Sequence, residues 1–192
     1  MIAEIGHFAL ILALVLSVVQ CVLPLVGAAR GIGSWMALAR TAAYANALFL
    51  TISFGTLAYS FYISDFTLLN VASNSNSLLP WFYKVAASWG SHEGSILFWA
   101  LMLTWWGFLV ALTSRKLPQE TVARVLGVMG FITAGFVAFM LFTSNPFLRL
   151  FPAAPEGADL NPLLQDPVLQ PLPWQVLPVQ LPPAQPGFRP HC

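Results

Sequence analysis

Residues His7–Arg30 read "HFALILALVLSVVQCVLPLVGAAR", and the 22 residues between those two ends carry no charge. A helix needs roughly 20 apolar residues to cross the hydrocarbon core of a bilayer, so this stretch is long enough. The same interval recurs along the chain. Arg40 and Asp65 are separated by 24 uncharged residues, Glu93 and Arg115 by 21, and Arg124 and Arg149 by 24. Four spanning helices are therefore expected, near 7–28, 42–63, 94–113 and 122–143. Composition agrees, since 58% of the 192 residues are hydrophobic and only 8% are charged, against about 25% charged in a soluble domain. The fold class is an all-α integral membrane protein with four transmembrane helices.

A fifth uncharged interval, 66–83, contains Asn70, Ser73, Asn74, Ser75, Asn76, Ser77 and Pro80. It is too polar for lipid and reads as a loop. The first span is not a cleavable signal: "MIAEIG" has Glu4 and no Lys or Arg, where a secretory leader has a basic start. It reads as a retained helix. Charge sets the threading. Arg30 and Arg40 flank one short loop, and Arg115, Lys116 and Arg124 the other, so five of eight basic residues occupy two loops. The positive-inside rule places both in the cytoplasm. The N-terminus, the segment 64–93 and everything after 144 then lie outside.

Several functions are disfavoured. No acidic residue or lysine falls within these spans, whereas proton pumps and ion carriers place ionisable groups there. No basic patch suggests nucleic acid. No CxxCH is present, so the chain carries no covalent c-type haem of its own. Cys21 in mid-span and Cys192 at the end read as unrelated thiols. Gln20 and Pro24 lie in the inner half of the first helix, and Asn46, Ser53, Gly55 and Ser60 in the second. With Gly127, Gly130 and Gly135 in the fourth, they read as close-packing positions. Trp81, Phe82, Tyr83, Lys84 and Trp89 read as an interfacial segment, with the lysine reaching for phosphate.

The chemistry-bearing stretch is "WGSHEGS", Trp89–Ser95, at the threshold of the third span. Ser91 is an expected N-cap, and Glu93 in the first turn complements the helix dipole. Steps of four and three from His92 pass through Ile96, Trp99, Leu103 and Trp106. The candidate site residues are Trp89, Gly90, His92, Glu93, Gly94 and Ser95, with Trp99 and Trp106 as an aromatic face. Such a face suits a flat macrocycle or a quinone head; fastening the helix end accounts for the same residues. No catalytic residue and no metal ligand is assigned.

"MIAEIGHFAL", "NSNSLLPWFYKVAASWGSHEGSILFW" and "LFTSNPFLRLFPAAPEGADLNPLLQDP" resemble the N-terminal part of the CcmF/NrfE family, the integral-membrane haem lyase subunits of bacterial cytochrome c maturation. The likeness is collinear over 1–167. It divides the chain into 1–88, with two spans and an outer interfacial loop; 89–150, the start of the cytochrome c assembly region with two more spans; and 151–192, a Pro-rich outer tail. The resemblance implies a bacterial inner-membrane protein with a periplasmic N-terminus. Its family takes haem from a periplasmic haem chaperone and attaches it to CxxCH thiols of apocytochrome c, together with thioredoxin-like and apocytochrome-binding subunits. It also implies a resident haem b.

The departures are specific. Family members continue into a helix opened by a His-Pro-Pro motif, then a tryptophan-rich signature and two intramembrane histidines that bind haem b. This chain has only His7, His92 and His191, and no ligand role is carried onto them. Eleven of its fifteen prolines lie between 152 and 192, and the likeness stops after Pro167. The expectation is a truncated haem lyase with aberrant sequence after 167, inactive in ligation by itself; a natural split subunit is the rival. Outside that class stand a four-helix membrane scaffold without catalytic activity and, less favoured, a haem- or quinone-binding redox subunit built on His92, Trp99 and Trp106.

Overall fold

A computed structural model describes residues 1–158. The prolines, histidine and cysteine expected to form an irregular tail beyond that point lie outside the described residues, as does the proposed break at 167. Among the described residues six α-helices follow one another: α1 (Ile2–Arg30), α2 (Gly33–Tyr62), α3 (Leu69–Asn74), α4 (Trp81–Gly90), α5 (His92–Thr113) and α6 (Gln119–Phe142), with a 3-10 turn at Ser114–Lys116 between the last two. Helices α1, α2, α5 and α6 are long and apolar enough to cross a membrane.

The expected spans are present but longer. Helix α1 has 29 residues and α2 has 30, about 44 Å each at 1.5 Å per residue. That length matches a bilayer with its headgroups, not the hydrocarbon core alone. Charged residues thus lie within the helices or at their very ends: Arg40 is inside α2, and Arg30 is the last residue of α1. Glu4 and Arg30 sit in the first and last turns of α1, complementing its dipole. Gly31 then stops the helix with φ 70°, a left-handed conformation that glycine adopts without a Cβ penalty.

Every face of these helices is apolar, so the spacing of the buried positions, and not hydrophobicity, marks the packed side. On α1 the buried residues include Ala3, Gly6, Leu10, Ala13, Ser17, Gln20, Pro24 and Gly27. Their spacing alternates three and four. Ala123, Leu126, Gly130, Thr133, Val137 and Met140 do the same on α6. A repeat of 3.5 residues keeps one seam facing its neighbours and suits small crossing angles. Lipid supplies no hydrophobic drive between helices, so the close approach permitted by small residues becomes the source of packing energy.

Polar groups tie the seam at mid-height. Gln20 Nε2 donates to the Leu126 carbonyl at 2.9 Å, and the amides of Gln20 and Asn46 meet at 2.8 Å. All three groups are buried. They join α1, α2 and α6 where water cannot compete. Gly127 and Gly130 press against α1 as expected. Gly55 and Gly135 do not: both open onto free space in this chain. Cys21 is a free thiol.

The two ends differ. At one, which is basic, Arg40 donates to the Ser114 carbonyl at 2.9 Å and Gln119 to the Gly33 carbonyl at 3.2 Å. The two basic loops therefore share an end, as the charge pattern predicted. The opposite end carries a folded cap. The segment 66–83 is not the plain loop expected, because α3 and the first residues of α4 fall within it. Asn70 is buried there instead of solvated, and Ser73 and Asn74 return hydrogen bonds to α3 carbonyls. The chain after α6 crosses this cap: Leu69 N donates to Leu148 O at 2.9 Å, and Leu150 N to Thr67 O at 2.8 Å.

Glu156 holds the end of that strap. It accepts from the Ser77 amide at 2.9 Å and the Ser77 hydroxyl at 3.0 Å. Lys84 does not reach outward as expected; its ammonium donates to Ser64 Oγ at 2.7 Å and Ser77 O at 3.0 Å. The Ser77 donors, with the Lys84 charge nearby, hold the Glu156 carboxyl below its usual range. A lowered folded-state pKa stabilises the clasp above the ordinary carboxylate range and loses that contribution as pH falls through the folded value. Protection of the strap amides, such as Leu150 and Ala158, against hydrogen exchange, corrected for the intrinsic pH dependence of amide exchange, is expected to fall as pH drops below the ordinary carboxylate range, and Glu156→Gln should remove that fall. Unchanged protection across the range would sink the assignment.

Candidate functional site

The cap end gathers the residues singled out in the sequence. Trp89 and Gly90 close α4, Ser91 stands at the corner, and His92, Glu93, Gly94 and Ser95 form the first turn of α5. The corner is built from hydroxyls and one close approach. Ser91 Oγ accepts from Gly94 N at 3.1 Å, so the expected N-cap is present. Ser95 Oγ donates backward to the Trp89 carbonyl at 2.7 Å. A Cβ on Gly94 would overlap the Ser88 carbonyl oxygen, so α4 and α5 can meet at this angle only over glycine. Three of the seven motif residues thus shape the turn.

The remaining side chains face outward. His92 is exposed and Glu93 half-buried. Among the described residues neither side chain makes a hydrogen bond or ion pair. Trp89 is 46% exposed and stands 6.3 Å, ring centre to ring centre, from Phe98, which leans on Phe54 of α2. Trp99 and Trp106 lie on the outward side of α5, 68% and 64% exposed. Ile96 and Leu103, placed on the same face by their spacing, are half-buried, because the stripe turns partly toward α6.

A second group at this end was not legible in the sequence. Glu4 of α1 pairs with Arg149, whose guanidinium also donates to Thr67 Oγ1 at 3.0 Å. His7 Nδ1 lies 3.3 Å from Asn145 Nδ2, with its ring edge-on to Phe147. Glu4, His7, Phe147 and Arg149 line a groove of about 280 Å³. Its members are 138 and 145 residues apart in sequence, so no local pattern announces them.

Neither group makes an axial pair for a resident haem. His7 and His92 both sit at the cap end, on α1 and α5, and His7 is engaged by Asn145. Among the described residues no three His, Cys, Asp or Glu side chains converge to hold a metal ion. The described residues therefore do not fit the expected haem b.

The comparisons with known proteins bear on this end of the molecule. A family model described as "Cytochrome C assembly protein" matches residues 89–170, starting at Trp89. The chain is 58% identical over 167 residues to the cytochrome c-type biogenesis protein CcmF of Pseudomonas aeruginosa, covering 86% of this chain and 25% of that one. It is 49% identical over 170 residues to CcmF of Escherichia coli, covering 88% and 26%. With NrfE of Haemophilus influenzae the identity is 46% over 166 residues, covering 86% and 26%. A solved structure described as "Cytochrome c Heme Lyase CcmF" superposes with a TM-score of 0.72 at 27% identity, covering 79% of this chain and 26% of that one. The chain spans about a quarter of the length of the curated relatives it matches.

Proposed function

The chain belongs to the CcmF/NrfE family of cytochrome c-type biogenesis proteins, corresponding to the N-terminal portion of its members, and from that membership we propose that it serves the membrane haem lyase of cytochrome c maturation. In this reading haem is the substrate, delivered by a periplasmic haem chaperone and joined to CxxCH thiols of apocytochrome c with the help of thioredoxin-like and apocytochrome-binding subunits. The chain sits in the bacterial inner membrane with the cap end periplasmic. The five basic residues gathered at the other end support that orientation. The α4–α5 corner at Trp89–Ser95 opens the assembly region, and its outward Trp89, His92 and Glu93 are the surface offered to partners.

The observation that carries the reading is the 58% identity maintained over 167 residues. Its test is an in-frame deletion of the coding gene, with holocytochrome c followed by haem stain and apocytochrome by antibody. Loss of holocytochrome c, restored by the gene, is the expected result; unchanged cytochromes would refute it. A scaffold without catalytic activity is favoured by one feature: Ser91, Gly94 and Ser95 are engaged in shaping the corner. His92→Ala separates the two. Because the His92 side chain has no partner among the described residues, the variant is expected to accumulate normally and retain at least about half of the maturation, within the small effects typical of surface changes. Near-zero maturation at normal protein level would make His92 chemical.

A further inference from the structure

The groove between α1 and the segment after α6 changes character along its length. Glu4, His7 and Arg149 form its polar half, and Phe8, Ile11 and Phe147 its apolar half. Glu4 lies in the first turn of α1, at the headgroup depth set by the length of that helix. Ile11 is seven residues further on, about 10 Å deeper at 1.5 Å per residue, which places it among acyl chains. Phe147 is buried, whereas Phe8 and Ile11 are exposed, so the apolar half opens sideways into the bilayer and not to water. A polar end above a slot of this kind has the form of an amphiphile.

The polar half carries one charge of each sign. Arg149 pairs with Glu4 and donates to Thr67 Oγ1 at 3.0 Å, and a guanidinium has further N–H donors to offer. The second oxygen of Glu4 takes the Met1 amine, and a carboxylate has lone pairs for more than two donors. The tautomer of His7 follows from its neighbour. Asn145 Oδ1 accepts from the Phe147 amide at 3.0 Å, so Nδ2 is the atom that meets His7 Nδ1 at 3.3 Å. An amide nitrogen only donates; Nδ1 therefore accepts, and the ring proton sits on Nε2 as a second donor.

We propose that this groove binds one phospholipid with a primary-ammonium head, of the ethanolamine class. Its phosphate would be held by Arg149 and His7 Nε2, its ammonium by Glu4, and an acyl chain would lie over Phe8 and Ile11. Charge complementarity chooses the head. An anionic lipid would bring its phosphate against the Glu4 carboxylate with no cation of its own to offset the repulsion. A choline head has no N–H to donate to that carboxylate. The bound lipid would join the start of α1 to the strap at Phe147 and Arg149. The proposal stands on the groove and not on the haem-lyase reading.

The test places p-benzoylphenylalanine at Phe8 in the protein in its own membranes. Phe142, at the cap end of α6 and 83% exposed, is the comparison position. After irradiation the lipid class of each adduct is read by mass spectrometry. Ethanolamine lipids are expected to be enriched about three-fold at Phe8 over Phe142, the effect of one partly exposed ion pair. The same classes at both positions, enrichment of anionic lipids, a polypeptide adduct or no adduct at Phe8 would each overturn the proposal. Glu4→Gln should abolish the ethanolamine preference and shift the adducts toward anionic lipids. Mere loosening of the strap would lower every class alike, and an ethanolamine preference that survived would remove Glu4 from the site. A second measurement needs no variant. Phosphatidylethanolamine added to the delipidated protein in detergent should raise its Tm more than phosphatidylcholine or phosphatidylglycerol does, and equal shifts would refute the choice of head.

Discussion

Gly94→Ala is expected to strip most of the folded chain from the membrane fraction. The added methyl would overlap the Ser88 carbonyl and lie 2.7 Å from Ser91 Oγ. The Ser88 carbonyl is backbone in the last turn of α4, so it cannot swing aside as a side chain does. Relief requires α4 to unwind or α5 to tilt, and either movement releases the Ser91 cap and the Ser95 bond to Trp89 together. Overpacking at a rigid site with loss of two hydrogen bonds amounts to at least about 3 kcal/mol. Ser91→Ala is the graded comparison, removing only the cap at about 1 kcal/mol. Immunoblots of membranes and thermal aggregation in detergent would check both. A Gly94→Ala chain that accumulates and melts like wild type would show that the corner has another way to close.

The four spans were legible because a charge in hydrocarbon is costly, so uncharged intervals mark helices. Their ends were misjudged for the same reason: Glu4 and Arg40 lie inside helices, and Arg30 ends α1 beyond the expected limit, because these helix ends reach headgroup depth. Positions 66–83 were misread because polarity was equated with loop. Asn70, Ser73 and Asn74 serve a short helix, and Asn70 turns inward. One available signal was passed over. Buried positions recur every three or four residues along α1 and α6, with Ala3, Gly6, Ala13, Ser17, Gly127 and Gly130 among them, and the small residues in that rhythm, in helices apolar on all sides, point to the buried seam better than hydrophobicity does.

At the candidate site the local features could be read. Ser91 as a cap and Glu93 in a first turn depend on neighbours a few residues away. What joins distant segments could not. The Glu4–Arg149 pair, the His7–Asn145 contact and the Ser77–Glu156 clasp each bring a residue after α6 to one far upstream. Lys84 shows the physical cause of the error. Its sequence context suits a phosphate-seeking lysine, yet Ser64 and Ser77 offer it two fixed acceptors.

Gly130→Leu should separate α1 from α6 at the middle of the membrane. A Cβ there would stand 3.0 Å from the Cys21 amide nitrogen and 3.0 Å from Gln20 Cγ. Alanine would ask for a shift of a few tenths of an ångström, whereas leucine adds three further carbons into the same gap. The neighbouring helix must move away, and the first bond to lengthen is Gln20 Nε2 to the Leu126 carbonyl. That carbonyl and the Gln20–Asn46 contact have no water to fall back on. Strain of about 1–3 kcal/mol joins an interhelical bond worth about 0.6–2 kcal/mol, so the expected loss is about 3 kcal/mol. Gln20→Leu isolates the second term, because it deletes the amide while keeping the volume, and should cost about 1 kcal/mol. Detergent titration of the folded chain would rank the variants Gly130→Leu, Gln20→Leu and wild type in rising stability. If Gln20→Leu were the more damaging of the two, the polar tie and not the close approach would hold α6 to α1.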